Sequence, residues 1–160
     1  MSPAAAQFDS LSAESDAGAI AAAVILAGVP ETAAGYQQFF QTGPGGYGEG
    51  DRFAGVRVPV LRAMAKRLRG LPGPVITELT GHELHEVRLL ALLVLTGECA
   101  RADDDLRAAL VEGYRAAARA GQVNNWDLVD CSADPILGGW LLHRGGDYGE
   151  LLEWAAADDL

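Results

Sequence analysis

The chain has 160 residues, 49% of them hydrophobic, and a formal charge of −10. Such length and apolar content suit one domain with a buried core and exclude an intrinsically disordered chain. The acidic balance is a poor global match to a nucleic-acid binder, because a polyanion repels it at long range. Residues 1–15 are Ala, Ser and acid and read as a flexible N-terminal arm, with a helical domain over 16–160. Asp16 to Leu26 reads as the first helix, stopped by Gly28 and Pro30, and Glu31 to Phe40 as the second, with Tyr36, Phe39 and Phe40 on an aromatic face. The apolar run Ala19 to Val29 follows Asp9, Glu14 and Asp16, and no Lys or Arg precedes Arg52. It therefore does not read as a signal peptide, and it is too short to span a bilayer. A soluble, cytoplasmic protein with no membrane partner is expected.

The glycine-rich run 43–50 forbids regular structure. It lacks the Gly-Lys-Ser/Thr ending of a phosphate-binding loop, so it reads as a connector. Pro59 opens the next helix and Gly70 closes it; Pro74 and Pro135 repeat the device as first-turn prolines. Leu84 to Thr96 is apolar almost all round, as a helix buried between neighbours is. Asp103, Asp104 and Asp105 favour a helix N-terminus, with Leu106, Leu110, Tyr114 and Ala117 as its inward stripe. Helices continue over Pro135–Leu142 and Tyr148–Ala157. No segment has the period of a strand. The reading is all-α, and short helices in antiparallel succession favour an α-solenoid over a four-helix bundle.

Half of the twelve basic residues lie between Arg52 and Arg69. Arg62, Lys66 and Arg69 fall at i, i+4 and i+7, one helical stripe. With Arg57 they read as a phosphate-contacting patch, or alternatively as a solvated helix face. His82-Glu83-Leu84-His85-Glu86 has its histidines at i and i+3, where a zinc protease needs i and i+4, so these read as surface residues of a helix start. Cys99 and Cys131 show no metal or redox spacing. No metal and no cofactor is expected.

Asn124-Asn125-Trp126-Asp127-Leu128-Val129-Asp130 is the most informative stretch. Trp126 and Asp130, at i and i+4, share one helix face, with Leu128 and Val129 turned toward the core. An indole beside a carboxylate can hold a sugar whose anomeric carbon is turning cationic. The structural alternative is a capped helix, with Asn124 as its cap and Asp127 reaching back.

Together with Thr42–Asp51, Gly55–Arg62 and His85–Leu93, this stretch resembles the AlkD-like DNA alkylation-repair proteins over about residues 31–160. The resemblance implies a superhelix of HEAT-like repeats and, in active members, an N-glycosylase that removes cationic alkylated purines from double-stranded DNA, of the 3-methyladenine or 7-methylguanine type. Asp130 matches the carboxylate position and Trp126 the aromatic that packs on the lesion's sugar. An alkylated purine is already a good leaving group. The enzyme must therefore stabilise positive charge on the deoxyribose and position water. The resemblance further implies a concave surface with no deep base pocket. The family's additional arginine, in a Trp-x-x-Arg segment, would begin where the sequence reaches Asp158-Asp159-Leu160. The expectation is a chain without its C-terminal repeats, with an exposed apolar edge suited to a homodimer. The alternative function is a non-catalytic helical-repeat scaffold that binds DNA structures or protein.

Overall fold

The computed structural model describes residues 8–145 and 148–156. Nine α-helices are named among these residues: α1 Ala17–Leu26, α2 Pro30–Phe39, α3 Val58–Arg67, α4 Gly73–Thr80, α5 His85–Cys99, α6 Asp104–Arg119, α7 Trp126–Ala133, α8 Gly139–His143 and α9 Gly149–Ala155. The described residues contain no strand, only an isolated parallel bridge between Arg52 and Leu84. The expected all-helical class is what the chain adopts.

Helix starts follow local chemistry. Asp16 caps α1 by accepting the Ala19 N–H at 2.7 Å, and Asp103 caps α6 through the Leu106 N–H at 2.9 Å. Pro30, Pro59 and Pro74 each sit in a first turn, where a missing N–H costs nothing. Pro135 departs from the expectation. It starts no helix but lies in a π-helical turn, Asp134–Gly138, that joins α7 to α8. A proline ring clashes with the carbonyl four residues back, and the wider turn relieves the clash. That carbonyl, on Cys131, instead accepts the Thr96 hydroxyl at 3.5 Å.

The core centres on α5, which touches α1, α3, α4, α6, α7 and the π turn. Val87, Leu90, Ala91 and Leu92 are fully buried there, against Ile20 and Val24 of α1 and Leu61 and Met64 of α3. Each large aliphatic side chain so buried stabilises the fold by roughly 1.5–3 kcal/mol. On α6 the inward stripe is Leu110, Val111, Tyr114 and Ala117, whereas Leu106 is 52% exposed. No single described helix is long and apolar enough to cross a membrane. The α1–α2 pair passes such a test only together, with a bend of 97°. The apolar side of α1 is spent on the core instead.

Residues 1–7 of the expected arm and Ala157–Leu160 lie outside the described residues. Residues 8–15 lie against the domain. Leu11 is buried in the core, the Arg67 guanidinium sits over the Phe8 ring, and Arg67 donates to the Asp9 carbonyl.

Candidate functional site

The glycine-rich segment positions more than its composition suggests. Gly48 lets the loop pass so close to the end of α2 that an added Cβ would lie 2.3 Å from the Phe40 carbonyl oxygen. The Tyr47 hydroxyl donates to the Phe39 carbonyl at 3.0 Å and meets the Trp126 indole N–H at 3.4 Å. The loop ends on Asp51, a buried carboxylate and the hub of a polar cluster. Asp51 Oδ1 accepts from Arg88 Nη2 at 2.6 Å and Asn124 Nδ2 at 3.4 Å; its Oδ2 meets His85 Nδ1 and Asn125 Nδ2, both at 3.1 Å. His85 Nε2 meets Asp127 Oδ2 at 2.8 Å. Burial works against charge on both central groups. Hydrogen bonds from His85, Arg88 and Asn125 still hold Asp51 far below the usual carboxylate range, and Asp127 and Asp51 raise His85 above its ordinary value.

Beside this cluster, Glu86 accepts the backbone N–H groups of Ala54, Gly55 and Val56 at 2.9, 2.7 and 3.1 Å. Gly55 has a φ of +86°, and a Cβ there would lie 2.1 Å from the Val29 carbonyl oxygen. Only glycine fits that approach. Glu86 and Gly55 thus fix the segment that leads into α3 and seat Phe53 against the His85 ring.

Two expectations are corrected here. His85 and Glu86 are not surface residues of a helix start; each is about 1% exposed. Asn124 does not cap α7. The N-cap residue is Asn125, neither amide makes a side-chain cap bond, and both turn to Asp51. Asp127 reaches His85 rather than back to the helix start.

These contacts frame a cavity of about 720 Å³. One wall is aromatic. His85 stacks on Phe53 with ring centroids 4.6 Å apart, Phe53 on Phe40 at 5.1 Å, and Phe40 on Trp126 at 5.6 Å, with Phe39 edge-on to the indole at 6.2 Å. Trp126 remains 47% exposed. Asp130 and Arg62 line the same cavity, with Tyr36 and Cys131. The Asp130 side chain is exposed and makes no hydrogen bond or ion pair among the described residues. Burial and the nearby Asp127 charge push the Cys131 thiol up to about 11, so it is no thiolate nucleophile at neutral pH.

The i, i+4 pairing of Trp126 and Asp130 on one face is therefore what the helix presents. Leu128 is fully buried as expected, but Val129 is 40% exposed. Of the four expected phosphate contacts, Arg57, Lys66 and Arg69 are exposed outside the cavity and Arg62 alone reaches into it. None of the four pairs with an acid among the described residues. The sequence reading missed Asp51, Arg88 and Phe53 as parts of the site. A signal was present: His85, Glu86 and Arg88 crowd the first turn of an otherwise apolar, buried helix, where charged groups must be paired.

Comparison with curated proteins and with solved structures finds no match. A family model described as DNA alkylation repair enzyme matches residues 20–160, and the chain belongs to that family.

Proposed function

We propose that the cavity receives a nucleotide of double-stranded DNA carrying a cationic alkylated purine, of the 3-methyladenine or 7-methylguanine type, and that the protein hydrolyses its N-glycosidic bond. The observation that carries this reading is Asp130, an exposed carboxylate with no protein partner among the described residues, one helical turn from the half-exposed Trp126. A structural carboxylate would be engaged by amides or an arginine, as Asp51 and Glu86 are. Ring alkylation makes the base a cationic leaving group. Bond cleavage returns the electron pair to the base and leaves positive charge on the sugar. Asp130 opposes that charge electrostatically and orients the water that attacks the anomeric carbon. The indole packs on the sugar.

In the same reading Arg62 takes a phosphate at the rim, with Arg57, Lys66 and Arg69 along the neighbouring backbone. The helices stack as a HEAT-like solenoid, and the exposed Leu142 and Leu152 belong to an edge that pairs two copies in solution. The protein works in the cytoplasm, bound to the nucleoid. No cofactor takes part. The test is release of 7-methylguanine from methylated duplex DNA by the wild type and by Asp130→Asn. Loss of one electrostatic stabiliser costs roughly 3 kcal/mol, about two orders of magnitude in rate, with the melting temperature little changed. Undiminished release by a folded Asn variant removes Asp130 from the mechanism. DNA binding without release by the wild type favours the non-catalytic scaffold, the reading that the −10 charge suits better.

A further inference from the structure

We propose that His85, held as an imidazolium between Asp51 and Asp127, is a positioning residue that fixes the first turn of α7 and so aims Trp126 and Asp130 into the cavity. Only the activity arm of its test rests on the function proposed above.

Geometry carries the argument. Each ring nitrogen of His85 meets a carboxylate oxygen, at 3.1 Å for Asp51 and 2.8 Å for Asp127. An ionised carboxylate only accepts, so both contacts are hydrogen bonds only when both nitrogens carry protons. The charge count agrees. Asp51 and Asp127 supply two negative charges, and Arg88 with a protonated His85 supplies two positive ones. The His85, Asp51 and Arg88 side chains are 2%, 3% and 9% exposed and Asp127 is 18% exposed; because Arg88 offsets Asp51, a neutral imidazole would leave the charge of Asp127 uncompensated beside this buried cluster. The other charged groups around the ring are few. Glu86, from the same helix, is occupied by three backbone N–H groups; Arg62 of α3 and Asp130 of α7 line the cavity; the Phe40 ring, just past the end of α2, lies 5.2 Å from the imidazole.

His85 reaches Trp126 by two routes. The first is through Asp127, its neighbour in the uncapped first turn of α7, whose preceding Asn125 amide is tied to Asp51. The second is the ring stack through Phe53 and Phe40. Loss of the His85 proton breaks one carboxylate hydrogen bond and frees that turn.

The experiment is nuclear magnetic resonance of the full chain, following the His85 ring nitrogens and the Trp126 indole N–H through a pH titration, beside the variant His85→Gln. Both ring nitrogens are protonated at neutral pH, and the indole signal moves as pH rises through the raised value of His85. In His85→Gln the indole signal is displaced and its titration is gone. Single-turnover release of 7-methylguanine falls about 10–100-fold, the cost of an ångström-scale misplacement, with DNA affinity retained. The alkaline fall in the wild-type rate disappears with it. A neutral His85 at neutral pH, or an indole signal indifferent to both titration and substitution, overturns the proposal. If His85→Gln does not fold, the wild-type titration decides. If the wild type releases no base, the glycosylase reading falls while the resonance arms still judge His85.

Discussion

Replacing Asp51 by Asn tests whether the polar cluster, rather than helix capping, holds the start of α7. The side chains are nearly isosteric, so packing is preserved. What changes is charge and polarity. The carboxylate accepts from Arg88, His85, Asn124 and Asn125, and an amide must turn its NH₂ toward donors that oppose it. Arg88 loses its ion-pair partner while buried. Breaking a buried pair by removing one member costs about 3–5 kcal/mol, a large part of a typical total of about 5–15 kcal/mol. For a domain of this size the thermal midpoint falls by about 6–20 °C. The sign of the pH dependence follows from the depressed pKa of Asp51. Its contribution is fully present above the unfolded carboxyl value, about 3.9, and is lost only as pH falls through the lower folded value. The gap between wild type and variant is therefore complete at neutral pH and narrows only in strong acid. Urea unfolding followed by far-ultraviolet circular dichroism measures it. A loss below about 1 kcal/mol, the scale of an exposed pair such as Arg52–Glu83, refutes the reasoning.

Glu86→Gln replaces one acceptor oxygen by a donor facing backbone N–H groups. With charged hydrogen bonds contributing about 1.5–3 kcal/mol each, the urea-derived stability falls by about 2–4 kcal/mol; an unchanged midpoint denies Glu86 its part in holding residues 54–56. Reversing Arg57, Arg62, Lys66 and Arg69 to Glu weakens duplex binding and flattens its logarithmic salt dependence by about 0.9 for each phosphate no longer neutralised. Titrations at several salt concentrations, with Asp103–Asp105 substitutions as the comparison, decide whether the patch is more than a solvated face.

Helix positions were legible because their determinants are local. Asp103 caps, Pro59 and Pro74 start, and apolar spacing marks the buried faces, whereas Asp16 proves to be a cap rather than a helical residue and Pro30 opens α2 as well as ending α1. The failures share a cause. Asn124 and Asn125 have the composition of a cap, but their partner lies 73 and 74 residues upstream in the chain. His85 and Glu86 look like surface residues of a helix start until Asp51, Asp127 and three loop amides supply what burial requires. Pro135 repeats the local signal of a helix start, yet the preceding helix runs on into it, and a wider turn with a hydroxyl from α5 makes that possible. A local rule states a preference. Long-range partners decide whether it is exercised.

The same distinction bears on the conflict between an acidic chain and the proposed DNA substrate. Net charge is a sum, whereas a bound phosphate responds mainly to charges within about 8 Å at physiological salt. Several acids are satisfied inside the protein. Asp51 and Asp127 offset Arg88 and His85, Glu86 is taken by backbone amides, and Glu150 by Arg115 and Arg119. Four cations of α3 and its flanks are left otherwise, although Arg52 and Arg67 pair with Glu83 and Asp9. Arg57, Arg62, Lys66 and Arg69 have no acidic partner among the described residues, and Arg62 connects their surface to the cavity. A backbone lying there meets guanidinium and ammonium groups that need surrender no existing ion pair. The acidic remainder repels at distance and penalises encounters on other faces. An excess of acid over the whole molecule is thus compatible with one cationic approach, and it sharpens which face can be used.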